Sequence, residues 1–372
     1  KAFNLSAQSK VEIETKWDLV KIPQLLCKIS GSQKKIQNTE ILLEGSIPVV
    51  TQEKGNLIAG FVNDVEPIQD LPLIVFGDHS CKFKYVDFPF VRGADGTQLL
   101  KVDPNIIDPK YFYYILNVIK IRNSDKYERH FKYLAEEKIP LPPLAIQQKI
   151  VEECEVVDKI LDSTLSQKYQ LLQNIKNISD DMYGRYALKK LGLVCSSPQY
   201  GANESAIAGN FSTDYRYIRI TDITSDGHLN DDFHTAKNIE NKYILEDGDV
   251  LFARSGNTVG KTFLYKSSYG KAIYAGYLIR FKPLKEFLLP KFLEILTKGE
   301  VYKKWVANSQ TGSSQPNING QLYSSYLIPV PPLAEQEKIV QQIEALEAQI
   351  AQAQKVIDDA PQQKQAILQK YL

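Results

Sequence analysis

Gly256-Asn-Thr-Val-Gly260-Lys261-Thr262 places two glycines, a lysine and a threonine close to the spacing that cradles a nucleotide phosphate. The loop is one residue short, because Ser255 stands where the first glycine of a P-loop belongs. The next residues, Phe263-Leu264-Tyr265-Lys266, read as a strand, whereas the P-loop needs a helix N-terminus to meet the phosphate. Nucleotide hydrolysis is therefore excluded. Arg254, Ser255, Asn257, Thr258 and Lys261 are instead donors suited to phosphate oxygens and base edges. A glycine-rich hairpin turn is the plainer reading of the same residues.

Other reactive residue types lead to fewer chemistries. The Pro-Pro pairs at 142–143 and 331–332 invite comparison with the Asn/Asp-Pro-Pro-Tyr site of adenine methyltransferases. Here Leu144 and Leu333 follow them, and Leu141 and Val330 precede them. No amide or carboxylate holds a target amino group, no aromatic stacks on a flipped base, and no FxGxG cofactor loop accompanies them. The four histidines (His79, His130, His228, His234) form no HExxH, and nothing such as GxSxG nominates a nucleophile. The four cysteines (Cys27, Cys81, Cys154, Cys195) lack a CxxC pair, so reduced thiols are expected and no metal site.

Polar loops supply the remaining candidates. In the first half these are Lys34 and Lys35, then Gln52, Lys54 and Asn56, then His79 and Lys82. His79 follows a strand-like run at the position matching Arg254, where a DNA-facing role and a capped turn around Asp78 both fit. In the second half they are Tyr200, Asn203, Gln315, Asn317 and Asn319. Asn and Gln pair bidentately with adenine, and Arg or Lys with guanine.

The elements that must carry these loops are visible in a repeat. Ile139 to Val151, IPLPPLAIQQKIV, returns at Ile328 to Val340 as IPVPPLAEQEKIV, with ten of thirteen residues identical at an offset of 189. The chain is built twice from one plan. Each copy launches an amphipathic helix of roughly 40 residues, or about 60 Å, through prolines that suit the approach to a helix. In the first helix the apolar series is Ile150, Cys154, Val157, Leu161, Leu165, Tyr169, Leu172, Ile175 and Met182. In the second it is Ile339, Ile343, Leu346, Ile350, Ala353 and Ile357, a heptad seam. The two seams are expected to bury each other, with Ile150, Cys154, Val157 and Leu161 packing in one helix and Ile339, Ile343, Leu346 and Ile350 in the other. Asp358-Asp359-Ala360-Pro361 should kink or break the second helix before a last short one.

The globular segments correspond more loosely. Leu73 to Phe76 matches Asp249 to Phe252, and the aromatic, β-branched stretch Tyr85 to Val91 matches Ala272 to Phe281. Pro109-Lys110-Tyr111-Phe112 matches Pro290-Lys291-Phe292-Leu293 at an offset of 181, so the second copy carries eight extra residues before its proline gate, where Asn308 to Gly320 lies. The expected organisation is an N-terminal segment 1–16, a first domain 17–143, a central long helix 144–185, a second domain 186–332 and a C-terminal long helix 333–372, kinked near Pro361. The fold class is α+β: two similar α/β domains separated by two long antiparallel coiled-coil helices, a pseudo-twofold tandem repeat.

Composition agrees with a soluble chain. Of the 372 residues, 43% are hydrophobic and 24% charged, with no run long enough to span a membrane and no signal-peptide core. A cytoplasmic location is expected. The net charge of +1 conceals a partition: each helical segment sums to −2, leaving mildly basic globular parts.

The chain resembles the specificity (S) subunits of type I restriction–modification systems, the HsdS family. The resemblance covers nearly the whole chain. It rests on the two gates with their helices, on VFGDHSCKFKYVDFPFVRGADGTQLL, and on YIRITDIT, LEDGDVLFARSGNTVGK and TGSSQPNING. It implies two target recognition domains that each read half of a split double-stranded DNA sequence, with the helices as a ruler. It implies a non-catalytic chain that binds no cofactor itself, with S-adenosylmethionine, Mg and ATP on methyltransferase (M) and restriction/translocase (R) partner subunits. The chain begins without Met, and NLSAQ could continue from a methyltransferase, so the DNA-targeting portion of a fused restriction–methyltransferase enzyme is the alternative. An enzyme with an unrecognised site and a coiled-coil scaffold without nucleic acid are the remaining readings.

Overall fold

Each proline gate folds as a strand followed directly by a helix. In the computed structural model, which describes residues 2–4, 12–53, 55–94, 96–122, 128–224, 227–310 and 317–372, the gate strand Lys138–Pro140 pairs antiparallel with Leu19–Lys21. Its counterpart Leu327–Pro329 pairs antiparallel with Leu188–Lys190. Ile139 and Ile328 are buried in the two cores. The carbonyl of Pro143 accepts from the Ile146 and Gln147 N–H groups at 2.8 and 3.1 Å, and that of Pro332 from Glu335 and Gln336 at 2.9 and 3.1 Å. The prolines occupy helix-start positions, where a missing N–H leaves no bond unmade.

The long helices run Leu144–Arg185 and Leu333–Tyr371. The chain divides into two compact units, 1–164 with 355–372 and 165–354. Each unit therefore takes one globular domain together with part of both helices. Within the first unit Lys364 pairs with Asp158 and Lys370 with Glu153 (2.6 Å), so the helices run antiparallel there. Ile150, Cys154, Leu368 and Leu372 share that core. Within the second, Lys168 bonds Gln354 and Tyr186 donates to Glu335 at 3.2 Å, again antiparallel, while Ile175, Met182, Ile339 and Ile343 are buried together. Val157 is buried, and Leu161, Leu346 and Ile350 are half-buried.

Two expectations about the helices need correction. Among the buried or half-buried positions of the first helix, 150, 154, 157, 161, 164, 168, 171, 175, 178 and 182 form an unbroken alternation of four- and three-residue steps. Leu165, Tyr169 and Leu172 are exposed, while Thr164 is buried and Lys168 half-buried in the seam. The strict heptad of a helix pair prevails over hydrophobicity at those positions. The second helix also passes through Pro361 without a break. Its last turns are anchored by buried Leu368 and Leu372 and by the two lysine pairs, which offset the lost bond to Ile357. Pro361 is exposed, so Pro361→Ala should fit without clash and raise stability by about 1–2 kcal/mol, read as a higher urea midpoint.

Each domain contains its own sheet of the same strand order. In the first, Thr97–Leu100, Leu73–Gly77 and Phe83–Val86 lie side by side in that order, all antiparallel, with Leu100 opposite Ile74 and Thr97 opposite Gly77. In the second, Leu278–Phe281, Val250–Ala253 and Thr262–Leu264 repeat this, with Phe281 opposite Val250 and Leu278 opposite Ala253; Gln199–Tyr200 adds a fourth strand. The counterpart of Leu278–Phe281 is thus Thr97–Leu100, not the Tyr85 to Val91 stretch expected from composition. Ala272–Tyr274 belongs to a separate parallel pair with Arg216–Ile218. The helices Pro109–Val118 and Pro290–Leu296 then pack their apolar faces into the respective cores. No helix among the described residues is long and apolar enough to cross a membrane.

Candidate nucleic-acid interface

In the second domain the strand Val250–Ala253 ends at Arg254, whose backbone is fixed on both sides. Its N–H donates to the Tyr277 carbonyl at 3.0 Å and its carbonyl accepts from Ile318 N–H at 2.8 Å. The guanidinium lies 4.9 Å from the Tyr200 ring centroid, and its Nε reaches Asn317 Oδ1 at 3.5 Å. Tyr200 is held in turn, since its hydroxyl accepts from Gly320 N–H at 2.9 Å. Three residues from three distant segments are thereby brought together, and neither terminal nitrogen of Arg254 has an acceptor among the described residues. A guanidinium oriented by an aromatic ring, with terminal nitrogens that the described residues leave unengaged, suits bidentate pairing to a phosphate or a base edge.

The glycine-rich loop beyond Arg254 is built for shape. Gly256 and Gly260 have φ of +65° and +84°, and a side chain at Gly260 would collide with Val306. The Tyr302 hydroxyl donates to the Gly260 carbonyl at 2.9 Å and that of Tyr323 to Ala253 at 2.8 Å. The loop leads into the strand Thr262–Leu264. Thr258 spends its hydroxyl on the Ser255 carbonyl at 3.0 Å, and Ser255 bridges to Asn317 through the backbone. Lys261 donates to the Ile223 carbonyl at 2.9 Å, so one of its three ammonium N–H groups is already used within the fold. Asn257 is exposed. Asn203 lines a concavity of about 530 Å³ with Glu204, Tyr217, Arg219 and Tyr277. Asn319 caps the helix Gly320–Ser325 by accepting from Leu322 N–H at 2.8 Å. Gln315 lies outside the described residues.

The first domain spends its candidates differently. Lys34, Lys35, Asn56 and Lys82 are exposed, and Lys54 lies outside the described residues. Gln52 Oε1 accepts from His79 N–H at 3.1 Å, and His79 Nδ1 sits 3.1 Å from the Glu128 carbonyl. The buried Asp78 carboxylate accepts from Phe131 N–H at 2.7 Å, and buried His130 Nδ1 sits 2.9 Å from the Asp78 carbonyl. Asp78 and His79 therefore tie the strand end to the 128–131 segment. Strand register sets Gly77 opposite Thr97 and Ala253 opposite Leu278, so Asp78, not His79, is the counterpart of Arg254. Lys84, unnoticed in the sequence, is buried and donates to the Asn56 carbonyl at 2.8 Å; loss of hydration lowers its pKa, partly offset by Glu53.

Sequence reasoning also missed the gate glutamines. Gln147 and Gln336 are both fully buried. Gln147 Nε2 donates to the carbonyls of Pro142 (2.8 Å) and Ile106 (3.4 Å), while its Oε1 accepts from Asp108 N–H at 2.7 Å. Gln336 Nε2 donates to Pro331 (2.9 Å) and Phe287 (2.7 Å), and its Oε1 accepts from Leu289 N–H at 2.9 Å. The signal was their identity within the repeat. Burial pushes the Cys154 and Cys195 thiols up to about 12, which removes both as thiolate nucleophiles at neutral pH.

The profile of the Type I restriction modification DNA specificity domain matches residues 14–174 and again 186–359. The EcoKI type I restriction enzyme specificity subunit of Escherichia coli K12 is 25% identical over 248 residues, 60% of this chain and 53% of that protein. The StySPI specificity subunit of Salmonella potsdam is 24% identical over 260 residues, 63% of this chain and 56% of its own length. The chain thus spans about half the length of these relatives. The crystal structure of a type I restriction–modification S subunit from M. genitalium has the same fold, with a TM-score of 0.59 at 15% identity over 100% of this chain and 99% of that one. With two matched copies covering most of its residues, the chain belongs to the family of type I restriction modification DNA specificity domains.

Proposed function

We propose that the chain is the non-catalytic DNA-reading subunit of a type I restriction–modification complex. Each domain reads one half of a two-part duplex target, and the antiparallel helices set the gap. Methyltransferase and restriction/translocase subunits dock on it and supply S-adenosylmethionine, Mg and ATP chemistry. The observation that carries this reading is a repeated frame with unlike loops. Gate, glutamine and three-stranded sheet recur in both domains, whereas the position held by Arg254 and its stacking partner in the second is held by Asp78 and a histidine-bound turn in the first. Two equal frames presenting unlike polar surfaces suit two unlike half-sites.

Adenine methylation mapped in cells carrying the complete system should show one bipartite motif with a fixed gap. A continuous motif, or none, overturns the reading, as does purified chain that methylates or cleaves DNA unaided. Arg254→Ala should weaken binding to that duplex about tenfold or more, with Arg254→Lys nearly as costly because an ammonium cannot keep the stacked plane. Anisotropy titrations across a salt series measure both.

A further inference from the structure

We infer that Gln147 and Gln336, with the lysines Lys110 and Lys291, are positioning residues that fix how far apart the two half-sites must lie. The inference rests on the DNA-reading function proposed above. In each unit, the domain meets its long helix through the same pair of contacts. The first is the buried glutamine. Two of its three hydrogen bonds connect the helix start to the carbonyl of Ile106 or Phe287 and to the N–H at Asp108 or Leu289, and the third holds the gate carbonyl of Pro142 or Pro331. Those are the residues that lead into Pro109–Val118 and Pro290–Leu296.

The second contact lies farther along the same elements. Lys110 bonds Glu155 on the first long helix, and Lys291 reaches Glu347 on the second at 2.8 Å. Lys291 is also paired with Glu294 at 2.8 Å, and Lys298 reaches Glu347 at 2.7 Å, so the second copy is the more cross-braced. A glutamine lock and a lysine latch, separated along one helix, fix a position and an angle together. They act beside the shared cores and, in the first copy, beside the bond from the Tyr114 hydroxyl to Asp158.

The chemistry suits rigidity more than affinity. A fully buried amide with every polar group satisfied has one acceptable pose, because any rotation leaves a donor or acceptor unpaired. The gap between half-sites depends on the angle each reading face makes with its helix, as well as on helix length. Loosening a lock therefore widens the range of gaps accepted while leaving each half-site's sequence unchanged.

The test uses the complete system in cells with a plasmid library. The library carries the native half-sites at the native gap and at gaps one base pair shorter or longer. Methylation is read for wild type, Gln147→Met, Gln336→Met, Lys110→Met and Lys291→Met. Methionine keeps the volume of glutamine without its hydrogen bonds. The expected result is that each glutamine variant lowers the preference for the native gap at least tenfold, with unchanged half-site sequences and a smaller shift in the same direction for the lysine variants. A merely structural role would lower the melting temperature and total methylation yet keep the wild-type gap preference, and that result overturns the inference. Should the glutamine variants not accumulate as folded protein, the lysine variants are judged by the same criterion. A wild type without a two-part motif defeats the proposed function itself; a two-part motif with gap preference unmoved in the variants defeats this inference alone.

Discussion

Phe252→Ala is expected to cost the second domain about 3–5 kcal/mol, enough to unfold a marginally stable domain near physiological temperature. Phe252 is fully buried on the middle strand of its sheet, with neighbours bonded on both sides. Its ring lies 5.0 Å from that of Tyr323, 5.3 Å from Phe281 and 6.5 Å from Tyr302. Removing it opens a cavity among rings whose positions are already fixed. The Tyr302 and Tyr323 hydroxyls are tied to the Gly260 and Ala253 carbonyls and cannot move into the space without breaking those bonds. Partial collapse is what lowers the cost of such deletions elsewhere, and here it is blocked. Urea denaturation of the full chain measures the loss. A change below about 1 kcal/mol would mean that the aromatic cluster repacks freely.

The same cluster links stability to the proposed reading surface. Tyr302 and Tyr323 hold the two ends of the loop that begins at Arg254, so a loosened cluster should disturb the loop before the domain unfolds. The first domain places Phe76 at the equivalent strand position, also fully buried, with Phe83 stacked at 4.9 Å. Its loop is anchored instead through Asp78 and His130. Equivalent strands thus carry equivalent core residues, and divergence begins at the first residue beyond the strand.

That boundary explains what could be read from the chain in advance. The gates were legible because ten identical residues in thirteen need no structural inference. The long helices were legible because their apolar period is local. Their seam was misassigned between Leu161 and Ile175, where the nearest hydrophobic residues, Leu165, Tyr169 and Leu172, are not the inward ones. Only the partner helix decides that Thr164 and Lys168 face inward, and the partner lies roughly half a chain away in sequence. Pro361 was misjudged as a break for the same reason, since local propensity says nothing of Leu368, Lys364 and Lys370 downstream. The loop residues were legible as polar and no further. Lys261, Gln52, His79 and Asn319 prove to be bonded to backbone groups, because a backbone carbonyl or N–H left outside the sheets and helices takes the nearest side chain regardless of its recognition chemistry. Tyr200, Arg254 and Asn317 were each nominated separately, but their convergence needed the sheet register and the return of the chain at Ile318.

Exchanging residues 186–332 for the corresponding segment of a relative with another specificity should change one half of the methylated motif and leave the other half intact. The frame makes this exchange mechanically reasonable. The incoming domain must bring a strand to pair with its own gate, as Leu188–Lys190 does with Leu327–Pro329. It must also present a carbonyl and an N–H to Gln336 where Phe287 and Leu289 now stand. Both are backbone functions, so they do not depend on the identity of the recognition loops. Each mismatched base pair costs about 1–3 kcal/mol, so two or three altered pairs should reduce modification of the original site about a hundredfold or more. The half read by the first domain should be unchanged, because its core and its lock at Gln147 draw on residues outside the exchanged segment. Changes in both halves would show that the domains do not read independently, and the repeat would then record a shared ancestry without a division of labour.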